Sequence, residues 1–204
     1  MGKTVLGNVL RGIILRYTDY GETSIIANLI TPNNGMRAVL FHGIKKRGGN
    51  YARGVLMEWV VPKRLADKEG VTGVSKHEIV EKFSCGDDIN RSALRDSAFE
   101  LITSIVPRES DDTCQLYHLL VKYLQYLATP ESDEFFGFCL FCTRFAKILG
   151  YEIDFQSNKS LVLTEEKVRQ MPTDQKTAMA QRFIAYIQHH CEREKKLKSF
   201  DVLL

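Results

Sequence analysis

Through the first half of the chain, apolar residues come in short runs with a period of two; through the second half they recur at steps of three and four. "VLRGIILRY" (Val9–Tyr17) is rich in β-branched and aromatic residues and stops at the turn-like "TDYGE". "SIIANLIT" (Ser24–Thr31) and "MRAVLFHG" (Met36–Gly43) flank Pro32-Asn33-Asn34-Gly35, whose Asn-Gly pair tolerates the positive φ angles of a tight hairpin. In "VLMEWVV" (Val55–Val61) the residues Val55, Met57, Trp59 and Val61 share one face and Glu58 lies on the other. Pro62 ends that strand or places it at an edge. "GVSKHEIVEKF" (Gly73–Phe83) supplies a fifth. Five short strands joined by glycine-bearing loops predict a small closed barrel, which leaves no open edge.

The helical spacing predicts four helices. In Thr113–Ala128, Leu116, Leu119, Leu120, Tyr123, Leu124 and Leu127 form one apolar stripe, with Asp111 and Asp112 offering cap oxygens before it. Thr129–Gly150 starts with Thr as cap and Pro in the first turn, and ends at Gly150 after Lys147. Asn90–Val106 and Thr173–Glu192 complete a bundle. The segment Phe155–Thr164 has no clear period. The chain therefore reads as α+β, with a barrel over residues 1–83, a helical domain over 84–204 and a boundary near Phe83–Asp88.

Composition adds little: of 204 residues, 44% are hydrophobic and 26% charged, as in an ordinary globular protein. No apolar run approaches the ~18–20 residues of a membrane helix, and no signal-like segment opens the chain. Five scattered cysteines argue for a reducing compartment, so a soluble cytoplasmic protein is expected. Charge distribution changes the picture more. Residues 1–83 hold thirteen Lys/Arg against seven Asp/Glu, while residues 84–204 hold fifteen against eighteen. The first half is thus suited to a polyanion and the second is not.

The cations concentrate around "GIKKRGGNYARG" (Gly43–Gly54). It is not a P-loop, because Lys45, Lys46 and Arg47 precede Gly48-Gly49 and no Gly-Lys-Ser/Thr follows; the "GKT" of Gly2-Lys3-Thr4 lacks a glycine loop. Lys45, Lys46, Arg47, Tyr51 and Arg53, with Arg37 and His42 before them and Lys63 and Arg64 after, offer cations for phosphates and a ring for an unpaired base. The segment alone leaves a solvated hairpin tip equally open. Cys139-x-x-Cys142 looks like half a metal site, but Cys85, Cys114 and Cys191 are isolated. Phe135, Phe136, Phe138 and Phe141 around the pair point to a buried apolar face. No nucleophile elbow or His-Glu-x-x-His pair is present, and Asp87-Asp88, Asp111-Asp112 and Glu165-Glu166 read as helix starts. Nothing here calls for an enzyme.

The order of these features resembles the RecO family of bacterial recombination mediators. The likeness is most specific in "GIILRYTDYGETSIIANLITPNNGMRAVLFHGIKK" (Gly12–Lys46), where an apolar strand, an "R…DYGE" turn, a second strand, a glycine hairpin and a strand run into a basic loop. It returns at "FAKILGYEID" (Phe145–Asp154) and in the closing "REKKLKSFDVLL" (Arg193–Leu204).

The resemblance implies an N-terminal five-stranded OB-fold and an all-α C-terminal domain. It further implies a nucleoid-associated, non-enzymatic protein that binds single- and double-stranded DNA and anneals complementary strands. With RecR it would help load recombinase onto DNA coated by single-strand-binding protein. The acidic C-terminal tail of that protein would need an apolar pocket rimmed by cations, for which Lys122, Tyr126, Arg144 and Lys147 are candidates. Many relatives carry a four-cysteine zinc module after the Gly-Tyr-x-x-Asp stretch; here Asp154 is followed by "FQSNKSLVLTEE", without cysteine. A zinc-free version, with Phe155–Leu163 as a vestigial loop or hairpin, is therefore expected. An OB-type RNA-binding factor and a protein-docking adaptor are the alternatives.

Overall fold

The computed structural model describes residues 7–47, 51–62, 70–151, 163–191 and 197–203. The chain divides into two compact units. One comprises Met1–Phe83 with Pro107–Tyr117, the other Ser84–Val106 with His118–Leu204. The expected boundary after residue 83 marks the end of the first segment only. The helical domain expected over 84–204 is not one uninterrupted piece, because Pro107–Tyr117 groups with the strands.

The first unit is an OB-fold built from β1 (Gly7–Tyr20), β2 (Ser24–Ile30), β3 (Met36–Phe41), β4 (Val55–Pro62), β5 (Val71–Val74) and β6 (His77–Lys82). Its strand order is β5-β3-β2-β1-β4-β6. The count is six among the described residues, not five, because the strand expected over Gly73–Phe83 begins earlier and breaks at Ser75–Lys76. The part before the break runs parallel to β3, from Ala38↔Val71 to Phe41↔Val74, and the part after it runs antiparallel to β4. The two ends of the sheet are thus consecutive in the chain, and the sheet curls round on itself.

The period-two faces hold. Ile25, Ala27, Leu29, Val39, Phe41, Val55, Met57, Trp59 and Val61 meet in one core with Ile14, Ile44 and Val74. Trp59 packs edge-on against Phe41 with ring centres 5.9 Å apart. The β2–β3 turn closes as Asn-Gly predicts: Gly35 has φ +66, and the Thr31 hydroxyl donates to its carbonyl at 2.7 Å. That turn is fastened to the returning segment, where the Met36 N–H donates to the Arg108 carbonyl at 2.9 Å. A Cβ on Gly35 would lie 2.5 Å from the same oxygen.

The helices are α1 (Ile89–Ile105), α2 (Thr113–Leu127), α3 (Glu134–Ile148), α4 (Glu165–Arg169) and α5 (Thr173–His190). Asp88 caps α1 by accepting the Arg91 N–H at 3.0 Å. The helix expected from Thr129 starts only at Glu134, capped by Asp133, which accepts the Phe136 N–H at 2.9 Å. The delay has a physical cause on α1. One guanidinium nitrogen of buried Arg91 donates to the carbonyls of Leu127 (2.6 Å) and Thr129 (2.9 Å) and to the Ser132 hydroxyl (3.1 Å). The other donates to the carbonyls of Pro130 (3.0 Å) and Ser132 (2.6 Å). Carbonyls aimed at one cation cannot also run along a helix axis, so residues 128–132 form a loop around Arg91.

At the far end of α3 the sequence reading holds: Gly150 has φ +85 and the Tyr151 N–H reaches back to the Ala146 carbonyl at 2.9 Å. Inside this unit Tyr123, Phe138, Phe141 and Phe145 interleave, with Tyr123 and Phe141 centres 4.9 Å apart. Phe200 of the closing segment stacks on Phe138, and the Ser199 hydroxyl donates to Glu100 at 2.8 Å. Among the described residues no helix is long and apolar enough to cross a membrane.

Candidate nucleic-acid interface

β1 outlasts its apolar content. Ile13, Ile14 and Leu15 are buried, and every residue from Arg16 to Tyr20 is exposed. The strand nevertheless continues, because its backbone stays paired with β2 from Arg16↔Asn28 to Tyr20↔Ser24. The pleat puts Arg16, Thr18 and Tyr20 on the outer face and turns Tyr17 and Asp19 toward the barrel mouth. There they meet the loop after β3. Lys45 Nζ lies 2.9 Å from Asp19 Oδ1, and the Tyr17 and Tyr51 rings pack edge-on at 5.2 Å.

The loop is also held by its backbone. Lys45 N–H donates to the Thr23 carbonyl at 3.0 Å, Gly43 N–H to the Ser24 hydroxyl at 3.3 Å, and Gly54 N–H to the Ile14 carbonyl at 2.8 Å. Ile44 is buried in the barrel core and anchors the turn Lys45–Arg47. At this corner the structure brings Lys45 to Asp19 and Tyr51 to Tyr17, while Arg16 and Tyr20 are exposed on the other face of β1. Lys46 is exposed, whereas Lys45 is partly covered and paired with Asp19. His42 is exposed beside it, its ring against Gly73, and Arg53 is half-buried. The Arg47 side chain, Lys63 and Arg64 lie outside the described residues.

Arg37 stands apart. It precedes Phe41 by four positions, about 13 Å along an extended strand, and its Nε donates to the Asn34 carbonyl at 2.8 Å. It lines a cleft of about 720 Å³ together with Arg108, Glu109, Asp111 and the β2–β3 turn. Two guanidiniums balanced by two carboxylates make that cleft polar but not electropositive. Arg16 and Tyr17 read as the end of a strand and Tyr20 as part of the turn-like "TDYGE", so sequence reading places none of the three among the candidates. The usable signal was two tyrosines and an arginine placed just after the apolar run ended.

Of the residues considered for a peptide pocket, Lys122, Arg144 and Lys147 are exposed. Tyr126 is committed inward. Its hydroxyl donates to the Asp133 carbonyl at 3.3 Å, and its ring lies where a Cβ on Gly137 would be, 2.4 Å from Cε1. Burial pushes its hydroxyl pKa up, assisted by Glu165.

The donor set does not fit a zinc site. Cys139 and Cys142 are fully buried, and burial pushes both thiols up, that of Cys139 to about 12, whereas zinc binds thiolate. Among the described residues no three His, Cys, Asp or Glu side chains converge. The vestigial loop or hairpin expected over Phe155–Leu163 lies outside the described residues up to residue 162.

Fold and corner together define the class: an OB-fold protein with an appended helical region. The family model described as Recombination protein O N terminal matches residues 9–83, and that described as Recombination protein O C terminal matches residues 86–160. The chain belongs to the RecO family. It is 32% identical over 124 residues to a protein named DNA repair protein RecO from Shouchella clausii (strain KSM-K16). The match covers 60% of this chain and 48% of the relative, so it spans about half of that protein's length.

Proposed function

We propose that this protein is a non-enzymatic DNA-binding mediator of recombinational DNA repair at the bacterial nucleoid. It binds single- and double-stranded DNA and anneals complementary single strands. With RecR and single-strand-binding protein it helps load recombinase. Family membership and the relative's name support the repair role. The observation that carries the DNA-binding reading is the exposure of Lys46 in the turn after β3 and of Arg16, Tyr17 and Tyr20 at the end of β1, two segments tied together by the Lys45–Asp19 and Tyr17–Tyr51 contacts. Cations there screen phosphate repulsion and release counterions, and rings accept unstacked bases. Annealing requires two strands to be brought together and no bond to be made or broken, so this chemistry suffices. Lys122, Arg144 and Lys147 remain candidates for contacting the acidic tail of single-strand-binding protein, with Tyr126 in a supporting position.

The test is fluorescence-monitored annealing of complementary oligonucleotides together with a salt titration of single-strand binding. Arg16→Glu with Lys46→Glu should slow annealing and lower the log–log salt slope by about one for each phosphate contact removed. A double variant that binds and anneals like the parent, with the same slope, would sink the reading. The protein works without zinc. Elemental analysis of purified protein is expected to show well under one zinc per chain, and a stoichiometric content would overturn this.

A further inference from the structure

The helical unit carries a second aromatic group that its core does not need. α5 buries Thr177, Ala180, Phe183, Ile184 and Ile187. Tyr186, His189 and His190 lie off that stripe, yet their rings are gathered in one place. Tyr186 and His190 stack at 4.0 Å with 27° between planes. Tyr151, at the end of α3, meets His190 edge-on at 5.7 Å, and His189 does so at 5.5 Å. The His190 ring is fixed in place, since its Nδ1 lies 2.8 Å from the Tyr186 carbonyl. His189 and His190 are exposed, and Tyr151 and Tyr186 are half-buried.

We infer that the Tyr151–Tyr186–His189–His190 cluster is a stacking shelf for an unpaired base of single-stranded nucleic acid. The inference rests on the proposed DNA-binding function and adds a contact in the helical unit to those on the barrel. Four rings held in position before binding offer π-faces without an ordering cost, and stacking tolerates any base. The surroundings suit a polyanion rather than an apolar peptide. Lys147 is exposed near the end of α3, one turn before Tyr151, and Arg182 is exposed one turn before Tyr186 on α5. A nucleic-acid strand carries a phosphate beside each flat base, and here a cation stands one turn from a ring on each of the two helices.

The test uses the full chain and a single-stranded oligonucleotide carrying 5-iododeoxyuridine, irradiated and mapped by mass spectrometry. Cross-links at Tyr151, Tyr186 or His190 are expected. Tyr186→Leu with His190→Leu keeps apolar bulk but removes the ring faces, and should weaken oligonucleotide binding about five- to tenfold while barrel cross-links persist. Cross-links confined to Tyr17, Tyr20 and Tyr51, with unchanged affinity in the variant, would overturn the shelf and leave the proposed function standing. Protection of the cluster by an acidic peptide but not by the oligonucleotide would also overturn it. Absence of any oligonucleotide binding by the parent protein would remove the proposed function itself. The wild-type cross-link map is read independently of whether the variant folds.

Discussion

Replacing Arg91 by alanine is expected to cost at least about 3 kcal/mol of helical-unit stability. The reason is the number of partners left behind. Four carbonyls, of Leu127, Thr129, Pro130 and Ser132, accept from this one guanidinium, and the Ser132 hydroxyl adds a fifth contact. Asp88 stands 3.4 Å from its Nε on the remaining side. Leu127 and Ser132 are buried, and a buried carbonyl stripped of its donor costs about 1–3 kcal/mol unless water enters, whereas Thr129 and Pro130 are exposed and lose less. Arg91→Lys should recover only part of the loss, because one ammonium cannot reach the span that a planar fork covers. Urea unfolding followed by helical circular dichroism measures both variants. An alanine variant within about 0.5 kcal/mol of the parent, the range of ordinary surface changes, would show that the loop does not depend on this residue.

The second large effect is expected at Gly35. Alanine there meets two obstacles: a backbone at φ +66, and the Arg108 carbonyl 2.5 Å from the new Cβ. The first costs about 1–2 kcal/mol for a residue with a side chain. The second is a collision with backbone, which cannot swing aside, and costs a further ~1–3 kcal/mol. Gly21→Ala is the matched control, since Gly21 has φ +60 with nothing within 4 Å of its Cβ position. The difference between the two variants in urea unfolding of the barrel, followed by Trp59 fluorescence, isolates the contact. Equal losses would show that the turn and the Pro107–Tyr117 segment are not tightly apposed.

Much of the architecture was legible because burial writes itself into period. The odd-numbered face of Val55–Val61 reaches the core as read, and the stripe on α2 does likewise. What the sequence hid were contacts between residues far apart in the chain. Thr129-Pro130 looks like a helix start until Arg91 takes its carbonyls. Pro107–Asp112 looks like a connection between helices until the Met36 N–H binds to it. The fifth strand looks continuous until β3 and β4 compete for it. In the candidate interface the loop was visible from composition, since so many cations and glycines have no core to enter. The Lys45–Asp19 pair, the separation of Arg37 and the exposed end of β1 depend on pleat and register. No local pattern states these.

The break at Ser75–Lys76 also orders events during folding. The β1–β2 and β2–β3 hairpins join neighbours in sequence and can form early, with little chain to gather in. The seam between β3 and β4 must wait for a strand made later in the chain, and that strand divides its hydrogen bonds between two masters. Pairing of β5 with β3 and of β6 with β4 therefore bears more loop-closure entropy than either hairpin does. Until it occurs, two unpaired borders stand open to any passing strand.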